Sequence, residues 1–372
     1  MKLLVDRSFL LKALGHAQGI VERRTTSPIL SNVLLTVEDG HLIITATDLD
    51  VSIVETMPAQ VETTGATTVA ASTFYDIVRK LPDGTEVELM EKPENNQLVI
   101  RAGRSRFNLP TLPAKDFSTL KTTDLPHQFV LPAADLKYLI DNTRFAISTE
   151  ETRYYLNGIY FHSRTQNNDL VLRAVSTDGH RLAMADIPEP AGAGGIPDVI
   201  IPRKTVLELG KLVEGVEASV TVSLSLTQIM FTVGRTLLVS RLIDGTFPDY
   251  EKVIPAENQH LLTVDCKKFA EAVDRVATVS NEKARGVKLT IEPQKIIVSV
   301  SSVEQGMGVE EIEASYNGKR LVMGFNARYL LDIAQQISGD TISFYLSDEN
   351  SPAIIRGGSA ERILYVLMPM RL

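Results

Sequence analysis

Apolar residues recur along the chain at two spacings. Residues 5–21, 131–147 and 264–280 each read as a strand end followed by an amphipathic helix. Apolar side chains fall at matching offsets: Leu10, Leu136 and Phe269, then Leu14, Ile140 and Val273. A second helix recurs at the same scale in ASTFYDIVRKL (71–81), PRKTVLELGKL (202–212) and ARYLLDIAQQI (327–337). There the apolar positions sit at i, i+3, i+4 and i+7 or i+8, the spacing that gives a helix one buried face. Each second helix runs into an acidic turn (PDG, VEGV, SGD) and then into alternating segments such as EVELM, QLVIRA, VTVSL, IMFTVG, TISFYL and AIIRG. Alternation at period two predicts antiparallel strands with one buried face.

The copies begin more than a hundred residues apart, too far for a solenoid, so the repeats are domain-sized. Each holds two helices and several antiparallel strands, an α+β arrangement. The polar, proline-bearing stretches TTDLPHQ and PAENQH divide the chain into three similar domains, 1–125, 126–255 and 256–372. Within a repeat the two halves also resemble each other, giving six similar halves per chain.

Composition sharpens this. A chain of 372 residues exceeds the roughly 250–300 at which single cores stop growing. With no tryptophan and 6% aromatics, the core rests on Leu, Ile and Val. The single cysteine, Cys266, excludes an intrachain disulfide and suits a reducing compartment. No apolar run approaches the ~20 residues needed to span a bilayer. The opening MKLLVDRSFLLKALGHA is interrupted by Asp6 and Arg7, so it reads as strand and helix rather than a leader.

The formal net charge is −8, whereas a protein that grips phosphates is basic. The charge is unevenly placed. The six repeated helices (8–21, 72–81, 133–148, 202–212, 266–280, 327–337) sum to +5, leaving −13 elsewhere. Solvated helix faces explain this blandly; a positive, helix-lined surface inside an acidic body explains it more sharply.

STDGHRLA (176–183) places Asp178 two residues from His180, which invites a catalytic dyad. Asp-Gly between two alternating runs is, however, a strong hairpin signal, and no nucleophile elbow lies near. No two histidines share a ligand spacing, and Cys266 stands alone, so no metal is expected. AGAGG (191–195) lacks the Lys-Ser/Thr of a phosphate loop and reads as a surface loop. GRSRF (103–107) reads as a basic turn between strands. The chain ends on YVLMPMRL (365–372), unusually apolar for a terminus.

RYYLNG (153–158), TDGHRLA, FPDY (247–250), SNEKARGV (280–287) and the final MPMRL occur in this order. Together with the threefold repeat they make the chain closely resemble the bacterial sliding clamps, the beta subunits of DNA polymerase III. The resemblance spans the whole chain. It implies a ring-shaped head-to-tail homodimer of the DNA clamp fold, with helices lining a hole that encircles double-stranded DNA. It also implies a cytoplasmic processivity factor without catalysis, cofactor or membrane contact. The implied partners are the replicative polymerase's catalytic subunit, the clamp loader complex, and other polymerases and repair proteins that dock through short peptide motifs.

Carried over residue by residue, the family's peptide pocket matches Thr177, Gly179, His180, Arg181, Leu182, Pro248, Val253, Val366, Met368, Pro369 and Met370. Its DNA contacts match Arg24, Tyr154, Tyr155 and Lys204. Ser72 and Glu150 stand where the family offers a basic residue and an amide, and both depart from favourable phosphate contact. The dimer contacts match Phe107 and Leu109 on one side, Thr278 and Val279 on the other. Two other classes stay open: an enzyme built on Asp178 and His180, and a monomeric peptide-binding scaffold.

Overall fold

The computed structural model describes residues 1–22, 26–166, 168–280, 285–358 and 362–371. Among the described residues, six α-helices form where the pattern places them: α1 (Arg7–Ile20), α2 (Ala71–Lys80), α3 (Ala133–Thr143), α4 (Arg203–Leu212), α5 (Cys266–Ala277) and α6 (Ala327–Ala334). Three starts are capped by side chains accepting from early backbone N–H groups: Asp6 from Ser8, Asp265 from Lys268 and Asn326 from Arg328. α3, α5 and α6 end earlier than the apolar pattern suggests. After α3 the chain tightens into a 3-10 turn, Arg144–Ala146. After α6, Gln336 and Ile337 donate to carbonyls only three residues back. Buried side chains continue beyond the α-helical backbone because these tighter turns keep one face on the core.

The chain divides into two compact units, residues 1–137 with 190–243, and 138–189 with 244–372. These do not follow the repeat boundaries, because backbone pairing joins halves of successive repeats. In the first unit Val51–Pro58 pairs antiparallel with Thr236–Arg241. In the second, Arg181–Pro188 pairs with Ile363–Leu367.

The first unit is organised by a 13-stranded sheet. In the second unit the strands run, neighbour to neighbour, Gly158–Gln166, Asp169–Thr177, Arg181–Pro188, Ile363–Leu367, Ala353–Gly357, Thr341–Leu346, His260–Asp265, Gly306–Tyr316, Lys295–Ser302, Gly286–Glu292 and Leu321–Asn326. The apolar chain end is thus an interior strand. Tyr365 and Leu367 belong to the core with Phe269, Phe325 and Phe344. The Tyr365 hydroxyl donates to Asn142 Oδ1 at 2.8 Å. Burial, reinforced by the neighbouring Tyr138, pushes its pKa far above the ordinary tyrosine value.

Candidate functional site

TDGH is the turn of the hairpin between Asp169–Thr177 and Arg181–Pro188. Thr177 Oγ1 donates to the Arg181 carbonyl (2.7 Å) and accepts from the Gly179 N–H (3.1 Å). Asp178 Oδ1 accepts from the backbone N–H groups of His180 (2.9 Å) and Arg181 (3.0 Å). Asp178 therefore builds the loop instead of activating His180, whose ring lies 6.3 Å from that of Tyr329. Gly179 has φ +86°, and a Cβ there would meet Arg153 Nη1 at 2.6 Å.

Arg181 is the pillar beneath this loop. Its guanidinium donates to Asp178 Oδ2 (3.1 Å), Asp332 Oδ2 (2.6 Å) and the Phe145 carbonyl (2.6 Å). It also stacks over the rings of Tyr329 and Phe145. Only 8% of the residue is exposed, so Arg181 holds the site in shape from below.

Strand register defines the surface beside the loop. Thr177, Leu182 and Val366 form one cross-strand row. Two residues along, on the same sheet face, lies the row Tyr160, Val175, Met184 and Leu364. Phe247 stacks on Tyr160, ring centroids 4.8 Å apart, so FPDY covers this same face. The segment alternates buried Phe247 and Tyr250 with exposed Pro248 and Asp249. The Tyr250 hydroxyl lies 3.2 Å from both His162 Nε2 and Arg173 Nη1. Arg173 in turn binds Asp186 through two 2.7 Å bonds. Burial pushes the Tyr250 phenol up, against the opposing pull of Arg173. Val253 ends the following 3-10 turn and is exposed.

The chain end closes the other side. The Met368 N–H donates to the His180 carbonyl at 2.9 Å, and the Met370 N–H to that of Gly324. Met368 is 42% exposed while Val366 and Leu182 are 2% exposed. Pro369 and Met370 are half-buried. The result is an apolar floor with a flexible thioether and an imidazole at its rim, a surface that can receive apolar side chains of an extended segment.

Family models for the N-terminal, central and C-terminal domains of the DNA polymerase III beta subunit match residues 1–121, 130–249 and 251–371. The chain belongs to the DNA polymerase III beta subunit family. It is 50% identical to the beta sliding clamp of Caulobacter vibrioides strain NA1000 and 38% to that of Escherichia coli K12, covering 100% of both chains in each pair. Solved clamps share its fold. One from C. crescentus superposes with TM-score 0.96 at 50% identity, covering 100% of this chain and 99% of that one. A Bartonella birtlesii clamp bound to griselimycin gives TM-score 0.96 at 48% identity, with 100% of both chains covered. The chain is accordingly a DNA sliding clamp of polymerase III.

Of the residues matched to the family's DNA contacts, Arg24 lies outside the described residues. Tyr154 is exposed, and its ring meets that of Tyr155 edge to face at 5.8 Å. Lys204 is engaged internally, its ammonium bonded to Asp48 and, at 2.7 Å, to the Ile20 carbonyl. Glu150 forms a paired bond to Arg153 (2.8 and 2.6 Å), which holds its carboxyl below the usual range. Of SNEKARGV, residues 281–284 lie outside the described residues.

Of the residues matched to the family's dimer contacts, Phe107 and Leu109 sit on a strand edge, whereas Thr278 and Val279 follow α5 beside a second one. Ser105–Leu112 pairs with Gln97–Ala102, but with Gly65–Ala70 only at Thr111 and Leu112. Phe107 on that strand is 37% exposed, whereas Leu109 is 8% exposed. Gly306–Tyr316 pairs with His260–Asp265 only through residues 314–316. Its open end carries exposed Met307 and Val309. Val279 lies against it, since a Cβ on Gly308 would meet Val279 Cγ2 at 3.1 Å. Thr278 beside it is exposed.

Sequence reading missed the site's supports: Phe145, Tyr329, Asp332 and Asn142. Asp332 and Tyr329 stand on a helix named for its apolar face alone. Their polar role becomes visible only once Arg181 is placed beside them.

Proposed function

We propose that this clamp works as a head-to-tail homodimer of three-domain chains (1–125, 126–255, 256–372) closed around duplex DNA. The observation that carries the reading is the pair of open strand edges. One is basic, with Arg104 and Arg106; the other carries Glu304 and Glu313 beside Glu310, which pairs with Arg275, and Glu311, which pairs with Lys295. Edges of opposite charge on one chain favour a heterologous contact over a two-fold one, and such a contact ends only in a ring or a filament. Phe107 and Leu109 would meet Thr278 and Val279 across it.

The groove of His180, Leu182, Pro248, Val253, Val366 and Met368 would then take short apolar peptide motifs from polymerases, the clamp loader and repair proteins. Asp178 is consumed in building its loop, which supports a tether rather than a catalyst. No described helix is long and apolar enough to cross a membrane. The test is retention. Clamp loaded onto nicked circles should stay through gel filtration and leave once the circle is linearised. Equal loss from circular and linear DNA would overturn the ring.

A further inference from the structure

The first unit contains a second copy of the groove's backbone. There His41–Thr47 and Val51–Pro58 form the hairpin, and Thr236–Arg241 lies beside it as Ile363–Leu367 lies beside Arg181–Pro188. Thr47 and Asp48 close the turn with the same bonds as Thr177 and Asp178. The Arg241 N–H donates to the Asp50 carbonyl at 2.8 Å and the Ile243 N–H to that of Ile200 at 3.0 Å, as Met368 and Met370 do to His180 and Gly324. Even the pillar is repeated. Lys204 binds Asp48 Oδ2 and, at 2.7 Å, the Ile20 carbonyl, where Arg181 binds Asp178 Oδ2 and the Phe145 carbonyl.

The side chains on this shared backbone differ at the positions that would face a ligand. Thr47, Ser52 and Val239 form the cross-strand row that Thr177, Leu182 and Val366 form in the second unit. Val239 is 5% exposed and keeps part of the apolar floor, but Ser52 takes the place of Leu182. Its hydroxyl donates to the Ala46 carbonyl at 3.3 Å. Arg241 and Asp50 stand where Met368 and His180 form the rim. They lie 3.7 Å apart and both are exposed, so water reaches both charges. An apolar side chain entering beside them would strip that water and find only half the floor in return, a cost without compensation.

We infer that the first unit holds a closed copy of the peptide groove, and that Asp50, Ser52 and Arg241 are the residues that close it. Specificity for apolar segments then resides in three side chains placed on a repeated backbone, and the charged rim rejects what the Met368 rim accepts. One chain thus builds two frames and docks one segment. The inference rests on the groove reading above.

The test counts peptides per chain by isothermal titration calorimetry of the full-length protein with a polymerase-derived peptide. Wild type should bind one. Asp50→His combined with Ser52→Leu and Arg241→Met should bind two, the second within about tenfold of the first. Two peptides per wild-type chain, or one per chain in a folded exchange variant, would overturn the inference. Should the buried Ser52→Leu prevent folding, the converse exchange at the exposed rim decides. His180→Asp with Met368→Arg should weaken peptide binding about a hundredfold, roughly tenfold beyond His180→Ala with Met368→Ala, with melting temperature unchanged. Affinity equal to that of the alanine pair would show that rim charge does not close the frame. If wild type binds no peptide, the groove reading itself falls and takes this one with it.

Discussion

Gly179 and Leu49 occupy the same place in two copies of one loop. Thr47 repeats the bonds of Thr177: its hydroxyl donates to the Val51 carbonyl at 2.9 Å and accepts from the Leu49 N–H at 3.0 Å. Asp48 Oδ1 likewise accepts from the N–H groups of Asp50 and Val51, as Asp178 does from His180 and Arg181. Leu49 has φ +80°, close to the +86° of Gly179. A side chain at positive φ costs roughly 1–2 kcal/mol, so the two positions should respond unequally. Gly179→Ala should lower unfolding free energy by about that amount and crowd Arg153. Leu49→Gly should change it by less than about 1 kcal/mol, because relief of strain is offset by glycine's freedom in the unfolded chain. Urea titration of both variants checks the pair; equal losses would show that the loops are not equivalent. At the groove itself, His180→Ala with Met368→Ala removes two exposed rim side chains. Polymerase-derived peptides should bind the double variant roughly tenfold more weakly, about 1.4 kcal/mol, with melting temperature nearly unchanged. Unchanged affinity beside a large loss of stability would instead make the chain end core alone.

Helices and strands were legible to different degrees, and physics accounts for the difference. All six helices could be read because each buries one stripe at a fixed period, independent of what it packs against. The interior position of 363–367 could not: every one of its residues is buried, so alternation gives no face, and its neighbours come from 181–188 and 353–357. The residues matched to the family's pocket were reached through motifs, yet Arg181's downward orientation follows from Asp332, some 150 residues away. The open edges were invisible for the same reason, since an unpaired edge is defined by strands that are absent beside it. They nevertheless carry a prediction that belongs to elements. Val279→Glu adds a charge against Gly308, on a strand whose Glu310 and Glu311 already occupy Arg275 and Lys295. Burying it unpaired in a dimer is costly, so the variant should sediment as monomer at concentrations where wild type is dimeric. Arg106→Glu should weaken association in the same direction by opposing like charges. A dimer persisting in both variants at low concentration would place the interface elsewhere.

At the scale of the whole molecule, net charge and function pull in opposite directions unless retention is topological. A protein of charge −8 gains little from long-range attraction to a polyanion, and one held only by phosphate contacts would be shed as salt rises. Proteins held on DNA by several phosphate contacts lose about 10³–10⁵ in affinity between 50 and 200 mM salt. A closed ring escapes that dependence, because its lifetime is set by the opening of a protein–protein contact, however weak its grip on DNA. The groove side chains should then tune loading and partner exchange without governing residence. Salt does have one route to the lifetime, through the oppositely charged edges, whose attraction is screened over roughly 10 Å at 0.1 M. The expected outcome is a residence time on closed circles that falls only gently with salt and in parallel with dimer dissociation measured without DNA. His180→Ala with Met368→Ala should leave that residence time unchanged, whereas Arg106→Glu should shorten it. A steep salt-driven loss from closed circles, with the dimer still intact, would show that this chain holds DNA by contact rather than by enclosure.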